Sequence, residues 1–84
     1  MRKIGQGSKE FSRELKRLRY SVYLTQTEFC RRAEIPLSTY KAWECGTQFP
    51  TPANWKKYIA FMDERSGLVA TKNIKAIYIS YKGA

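Results

Sequence analysis

The sequence predicts a compact, mainly α-helical domain of four helices with a short C-terminal β-strand or hairpin. Apolar residues recur at helical spacing along most of the chain, and capping residues, glycines and prolines separate the helical segments. The C-terminal segment instead consists largely of β-branched and aromatic residues. With 84 residues the chain can form one core. We assign residues 1–67 to the helical domain, with a flexible arm at 1–7, and residues 68–84 to an extension.

The first helix is expected to begin at Ser8, whose hydroxyl can cap it, and to end near Tyr23. Its apolar residues recur at spacings of four, three and four and should face the core: Phe11, Leu15, Leu18 and Val22. Its basic residues should lie mostly on the solvent side: Lys9, Arg13, Lys16 and Arg17.

The second and third helices are short and separated by a tight break. Residues 25–28, Thr-Gln-Thr-Glu, fit a capping box, so the second helix should begin there and run to about Glu34. It should bury its three apolar residues, Phe29, Cys30 and Ala33. Pro36 ends it and suits the first turn of a third helix, from about Leu37 to Cys45, which Gly46 closes in a left-handed conformation.

The fourth helix should begin with Thr51 as its cap and Pro52 at its first position. Its apolar stripe comprises Trp55, Tyr58, Ile59 and Met62, and it should end near Ser66 and Gly67. Residues 74–81 are rich in β-branched and aromatic types and favour a strand. Residues 68–71 are its expected hairpin partner, across a turn at residues 72–73.

The charge balance indicates an anionic partner. Sixteen Lys and Arg residues against seven Asp and Glu give a net charge of +9, and such a chain is drawn to phosphate. Nucleic acid is a better candidate than a membrane surface, because the aromatic residues are expected to pack in the core. No apolar run approaches the roughly 20 residues that span a bilayer, and the N-terminus lacks the apolar core of a secretory signal. A cytoplasmic location is therefore expected.

Catalytic and metal chemistry have few candidate residues. His is absent, the two cysteines are far apart in the sequence, and the seven carboxylates are scattered. A zinc site would need carboxylates in place of the usual ligands, and no acid–base pair can be assembled. We therefore expect no metal, no cofactor and no enzymatic activity, and we expect Cys30 and Cys45 to be reduced thiols.

The two short helices match a helix-turn-helix unit, in which the second helix enters the DNA major groove. From about residue 15 to residue 62 the chain resembles the Xre family of helix-turn-helix regulators, the lambda-repressor-like class that includes phage repressors and Cro proteins. The matching motifs are Leu15 with Leu18-Arg19, Leu24-Thr25-Gln26-Thr27-Glu28-Phe29-Cys30, and Thr39-Tyr40-Lys41-Ala42-Trp43-Glu44-Cys45-Gly46 before Pro50.

Three positions depart from the family pattern. Glu34 replaces the glycine of the turn, so this residue must take a positive φ or the turn must differ in shape. Pro36 replaces the serine that usually caps the third helix, and Gln48 replaces a common arginine.

The resemblance implies specific roles for residues on and around the third helix. Base contacts are expected from Leu37, Ser38, Thr39, Lys41 and Ala42. Phosphate contacts are expected from Gln26, Cys45, Thr47 and Gln48. Lys16, Arg31 and Arg32 are further phosphate candidates, although a solvated helix surface also explains them. Arg19 and Glu44 match a pair that in the family forms a largely buried salt bridge.

The chemistry of the presumed contact surface limits how it can recognise DNA. Lys41 can donate to guanine O6 or N7, whereas Leu37 and Ala42 suit thymine methyl groups. The surface has no Arg, Asn or Gln for bidentate base contacts, so specificity should rely on methyl contacts, DNA shape and dimer symmetry.

The expected function is that of a sequence-specific, double-stranded DNA-binding transcriptional regulator of the phage or plasmid repressor type. A homodimer on a palindromic operator is expected because one unit contacts only a few base pairs. The predicted C-terminal strand is the candidate dimer seam, with Ile77, Ile79 and Tyr81 on one face. Two alternatives for this segment are a hairpin covering the domain's own helices and a basic tail ordered on DNA.

Two further hypotheses come from the same residues. An antitoxin-type module would bind a small protein partner through its C-terminal segment and autoregulate its operon. A single-stranded nucleic-acid binder would use exposed aromatic rings for stacking. The helical spacing of the candidate rings favours core packing instead: Tyr40, Trp43, Trp55 and Tyr58.

Overall fold

The described residues form a bundle of five helices, of which the first packs against the third and the fifth. The computed structural model describes the backbone of residues 2–83 and the side chains of residues 9–80. In chain order the helices are α1 (Arg2–Ser21), α2 (Gln26–Ala33), α3 (Leu37–Cys45), α4 (Pro52–Ser66) and α5 (Lys72–Gly83). The described backbone contains no strand. The mainly helical class is therefore confirmed, and the predicted C-terminal strand or hairpin is wrong.

The first helix begins earlier than predicted. It starts at Arg2 and not at Ser8, so residues 2–7 are helical and the predicted flexible arm is wrong for them. These residues include no proline, so nothing in them blocks the backbone hydrogen bonds of a helix. The helix ends at Ser21, and Tyr23 follows it with a φ of 58°, in the left-handed region.

The core forms where the apolar stripe of α1 meets the other helices. Phe11, Leu15 and Leu18 are fully buried, and α1 packs against α3 and α5. The helix α2 packs against α3 and α4. Large aromatic rings fill the space between these helices, with Phe29 stacked on Tyr40 at a centroid distance of 5.0 Å. The bundle is therefore held by the packing of α1 on α3 and α5 and of α2 on α3 and α4.

The burial of three rings excludes them as stacking surfaces for nucleic-acid bases. Tyr40, Trp43 and Tyr58 are at most 1% exposed. The fourth candidate, Trp55, is half-buried and stacks on Tyr78 at 4.2 Å. These residues pack the core, as their helical spacing indicated.

The C-terminal segment closes the core as a helix. Ile74 and Tyr78, four residues apart, lie on the buried side of α5 and are 0% and 5% exposed. The Tyr78 ring stacks on Phe49 at 5.0 Å, and its hydroxyl donates to the Pro50 carbonyl oxygen at 3.3 Å. The segment therefore covers the domain's own helices and the loop between α3 and α4, but not as the hairpin that the sequence suggested.

A turn, not a strand, connects α4 to α5. Residues 68–71 form this turn, and the residues expected at a hairpin turn, 72–73, lie in the first turn of α5. The buried Thr71 hydroxyl donates to the Asp63 Oδ1 atom at 2.6 Å, and the Lys75 Nζ atom lies 3.0 Å from Asp63 Oδ2. One carboxylate on α4 thus holds the start of α5.

The helical conformation also separates the residues predicted to form a dimer seam. In a strand, alternate residues share a face, but in a helix each residue turns by about 100°. Ile77 is half-buried, whereas Ile79, about 200° away, is 68% exposed. The Tyr81 side chain lies outside the described residues. Edge-to-edge strand pairing is therefore not available to this segment.

Replacing Ile74 should destabilise the whole domain if α5 is part of the core. We expect Ile74→Val to lower the free energy of unfolding by about 1 kcal/mol and Ile74→Ala by about 2–5 kcal/mol, because both remove buried methyl groups. Urea denaturation followed by circular dichroism measures both. Ile79→Ala is the matched control at dilute protein concentration, with an expected change below about 0.5 kcal/mol. Equal losses at the two isoleucines would contradict this packing.

Candidate nucleic-acid interface

The helices α2 and α3 are joined by a tight turn of three residues, Glu34 to Pro36. Glu34 adopts the left-handed conformation, with φ at 61°, and its backbone N–H donates to the Cys30 carbonyl oxygen. The Ile35 N–H donates to the same oxygen at 3.0 Å. The Lys57 Nζ atom donates to the Glu34 carbonyl oxygen at 3.2 Å. Of the two alternatives that the sequence left open, Glu34 therefore adopts the positive φ.

The start of α2 is capped from both directions. The Thr25 Oγ1 atom accepts from the Glu28 backbone N–H at 3.1 Å, and the Glu28 Oε1 atom accepts from the Thr25 N–H at 3.1 Å. This is the capping box that the sequence predicts. The backbone hydrogen bond from Thr25 lowers the pKa of the Glu28 carboxyl. The helix thus begins at a fixed position relative to α3.

The two ends of α3 differ in how their free backbone groups are hydrogen-bonded. Pro36 provides no side-chain cap at the start, because its side chain has no hydrogen-bonding group. At the other end Gly46 has a φ of 81° and donates its N–H to the Ala42 and Trp43 carbonyl oxygens. A side chain is disfavoured at this φ, which explains a glycine at this position.

A buried ion pair anchors α3 to α1. The Arg19 Nε atom lies 2.8 Å from Glu44 Oε2, and its Nη2 donates to Glu44 Oε1 at 3.1 Å. The third arm of the guanidinium, Nη1, donates to the Leu24 carbonyl oxygen at 3.0 Å. The two residues expected to pair are therefore brought together, and the pair also holds the loop ahead of α2.

The environment of this pair sets the protonation of its carboxylate. Burial by itself raises the pKa of Glu44, but hydrogen bonds from Arg19 and Gln26 outweigh it and leave this pKa below its usual value. The hydrogen bond with Glu44 raises the pKa of Arg19. The Tyr40 hydroxyl faces the carboxylate without a hydrogen bond of normal geometry, and burial raises its pKa. Both members of the pair therefore stay charged at neutral pH.

Ser12 makes a second link between α1 and α3 that the sequence did not indicate. Its buried hydroxyl donates to the Trp43 carbonyl oxygen at 2.7 Å. This oxygen lies in the last turn of α3, where carbonyls lack partners within the helix. Ser12 follows Phe11 in the sequence, and no motif distinguishes it from a serine exposed to solvent.

One side of α3 remains accessible. Of the residues predicted to contact bases, Ser38 and Lys41 are exposed, and Leu37, Thr39 and Ala42 are half-buried. Helical spacing places four of these residues on the side away from the buried ring of Trp43: Leu37, Ser38, Lys41 and Ala42. We refer to these four residues as the α3 ridge.

The predicted phosphate contacts surround the ridge unevenly. Cys45, Thr47 and Gln48 are exposed at the end of α3 and in the following loop, and the Thr47 Oγ1 atom donates to the Ala42 carbonyl oxygen at 3.3 Å. The amide of Gln26 is already engaged, because its Nε2 donates to Glu44 Oε1 at 2.9 Å. An amide carries two N–H hydrogens, so the second remains for a phosphate.

The basic residues predicted to contact phosphates lie in two different places. Lys16 lines an open groove between α1 and α3 together with Cys45, so the structure brings these two candidates together. Arg31 and Arg32 are exposed in the last turn of α2 and do not line this groove.

The described part of the chain holds neither a metal-ligand cluster nor a membrane-spanning helix. No three His, Cys, Asp or Glu residues in the described part lie close enough to hold a metal ion. No helix among the same residues combines the length and the apolar character that crossing a bilayer requires. Comparison of the chain with protein-family models, with curated proteins and with solved structures gave no match.

Removing the Glu44 charge should weaken the fold and reduce its sensitivity to acid. Because the pKa of Glu44 is lowered in the folded state, its contribution to stability is present above the unfolded-state value of about 4.3 and is lost as pH falls through the folded value. We expect Glu44→Gln to lower the neutral-pH free energy of unfolding by about 3–5 kcal/mol, because Arg19 loses its charged partner. The stability curve below about pH 4.3 should become shallower.

Denaturation across a pH series measures both effects. Glu64→Gln, at an exposed position, is the matched control and should leave the curve unchanged. Combining Glu44→Leu with Arg19→Met should recover part of the loss, because no buried charge is left unpaired. An acid limb of unchanged slope in Glu44→Gln would contradict this role.

Proposed function

We propose that the protein is a sequence-specific DNA-binding transcriptional regulator of the helix-turn-helix type, with the α3 ridge entering the major groove. The observation that supports this proposal best is that the α3 ridge is accessible while the opposite side of α3 is fixed to α1. The Arg19–Glu44 pair and the Ser12 hydroxyl fix α3 to α1, and a capped α2 precedes it across a turn of three residues. A helix presented in this way can enter a groove without rearrangement of the domain.

The dimensions of α3 suit the major groove. A helix with its side chains is about 10–12 Å across, which fits a groove about 12 Å wide, and the nine residues of α3 extend about 14 Å along it. Lys41 donates to guanine, and the Leu37 and Ala42 side chains contact thymine methyl groups. The net charge of +9 supplies the sequence-independent attraction to the duplex.

The regulatory mechanism is occupancy of the operator. Bound over a promoter, the protein blocks polymerase and acts as a repressor, whereas bound beside one it recruits polymerase. Because a single unit contacts few base pairs, we propose a homodimer on a palindromic operator, with half-sites about one helical turn apart.

We propose α5 and α4 as the dimer surface in place of paired strands. An open groove of about 450 Å³ lies between these helices and is lined chiefly by apolar side chains, among them Trp55, Ile59 and the exposed Ile79. A second copy of the chain would bury these side chains. An antitoxin-type partner would instead occupy the groove as a different chain of stable stoichiometry.

Selection from random duplex DNA tests the function. We expect a palindromic consensus, and Lys41→Ala should relax one position by about 1–3 kcal/mol of discrimination. Lys16→Ala should weaken binding to all DNA sequences alike and make the affinity less dependent on salt concentration. Lys72→Ala, at an exposed position at the start of α5 and outside the α4–α5 groove, is the control and should preserve the consensus. Equal affinity of the wild-type protein for cognate and random duplex would overturn the proposal.

A carboxylate placed in the α4–α5 groove should separate the dimer. We expect Ile79→Asp to give a monomer and to lower operator affinity, while helix content measured by circular dichroism stays unchanged because Ile79 is exposed. Sedimentation equilibrium measures the mass. Val69→Asp introduces the same charge at an exposed residue outside the groove and should remain dimeric. A wild-type protein that is monomeric at high concentration would rule out the homodimer.

A further inference from the structure

A second basic surface lies along α1. Lys9, Arg13 and Lys16 are exposed, and their spacings of four and three place them on one side of the helix. With Ser12, Glu44 and Cys45 they line an open groove of about 320 Å³ between α1 and the C-terminal end of α3. We refer to this feature as the α1 groove. It borders the end of α3 that carries the expected phosphate contact Cys45.

The three cations of the α1 groove form no ion pair with any described side chain. Among the described side chains, none of them lies within ion-pair distance of a carboxylate, whereas Arg17 pairs with Glu14. The carboxylate that lines the groove belongs to Glu44, which already binds Arg19 and Gln26. The groove is therefore strongly positive.

Unpaired like charges at these spacings are unfavourable for a helix. Residues three or four apart are neighbours on the helix surface, so the three cations repel one another along α1. An anion with regularly spaced negative charges would relieve this repulsion and release counterions on binding. A phosphodiester strand has this character.

The end of α3 needs positive charge from another element. A helix C-terminus carries a partial negative charge that disfavours a nearby phosphate. The last turn of α3 contains no basic residue. Hydrogen bonds from Ser12 to the Trp43 carbonyl and from Thr47 to the Ala42 carbonyl reduce the negative charge, but they add no cation. The cations that line the same groove as Cys45 belong to α1.

We propose that the α1 groove binds the DNA sugar–phosphate backbone, with Lys9 and Arg13 contacting phosphates alongside Lys16. The proposal rests on the DNA-binding function proposed above and extends it. The α3 ridge then supplies the sequence-specific contacts, and the α1 groove holds the strand that passes the end of α3. This second contact adds affinity for every sequence and leaves the consensus unchanged.

Salt dependence of binding tests the α1 groove. The triple variant Lys9→Gln, Arg13→Gln and Lys16→Gln should make the plot of log affinity against log salt less steep. The expected change in slope is about 2.7 for each DNA-bound protomer, because each phosphate contact contributes about 0.9. The triple variant Lys57→Gln, Arg65→Gln and Lys72→Gln is the matched control, since it removes two lysines and one arginine from exposed positions outside both grooves. Its slope should stay near that of the wild type, and the variant of the α1 groove should melt no lower than the wild type, because it loses only repulsive charges.

Acetylation footprinting provides a direct second measurement on the unmodified protein. A bound duplex should protect Lys9 and Lys16 from the reagent and leave Lys72, outside both grooves, reactive. If the wild type binds a consensus but the two triple variants have equal slopes, or if Lys9 stays reactive, the α1 groove proposal is wrong and the proposed function stands. If the wild type ignores duplex DNA at low salt, both proposals fail.

Discussion

The orientation of α3 depends on the buried pair between Arg19 and Glu44. The guanidinium uses three of its nitrogens, two on the carboxylate and one on the Leu24 carbonyl, so one side chain links α1, the loop before α2, and α3. A buried pair of this kind adds little net stability compared with an apolar replacement, but removing one partner is strongly destabilising. Its contribution here is geometric, because it permits one rotation of α3 about its axis, the one that leaves the α3 ridge accessible.

The Glu44 carboxylate also orients Gln26, one of the proposed phosphate contacts. Gln26, at the start of α2, donates to Glu44, so the first residue of α2 is oriented by the pair that orients α3. Ser12 adds a neutral hydrogen bond at the last turn of α3. Polar side chains behind α3 thus hold the α3 ridge in place. Its exposed residues, Ser38 and Lys41, do not pack in the core.

The second constraint is the closure of the core by α5. Tyr78 stacks on both Phe49 and Trp55 and donates to the Pro50 carbonyl oxygen, so α5 holds the loop that follows α3. The expected phosphate contacts Thr47 and Gln48 lie in this loop. The C-terminal helix therefore supports the edge of the candidate interface from within the same chain, and only its outer side, around Ile79, is left for a partner.

Local signals in the sequence determined the helices α2, α3 and α4 with their boundaries. The capping box at Thr25 and Glu28, the proline at position 52 and the glycine at position 46 act within a few residues, so the sequence alone specifies them. Only the tertiary structure decided the C-terminal segment and the Ser12 link. Ile74 and Tyr78 belong to residue types that favour strands, but their spacing of four buries both in a helix against α1, and packing outweighs this weak intrinsic preference. The Ser12 hydroxyl finds its partner 31 residues away, at a carbonyl that no local pattern could connect to it.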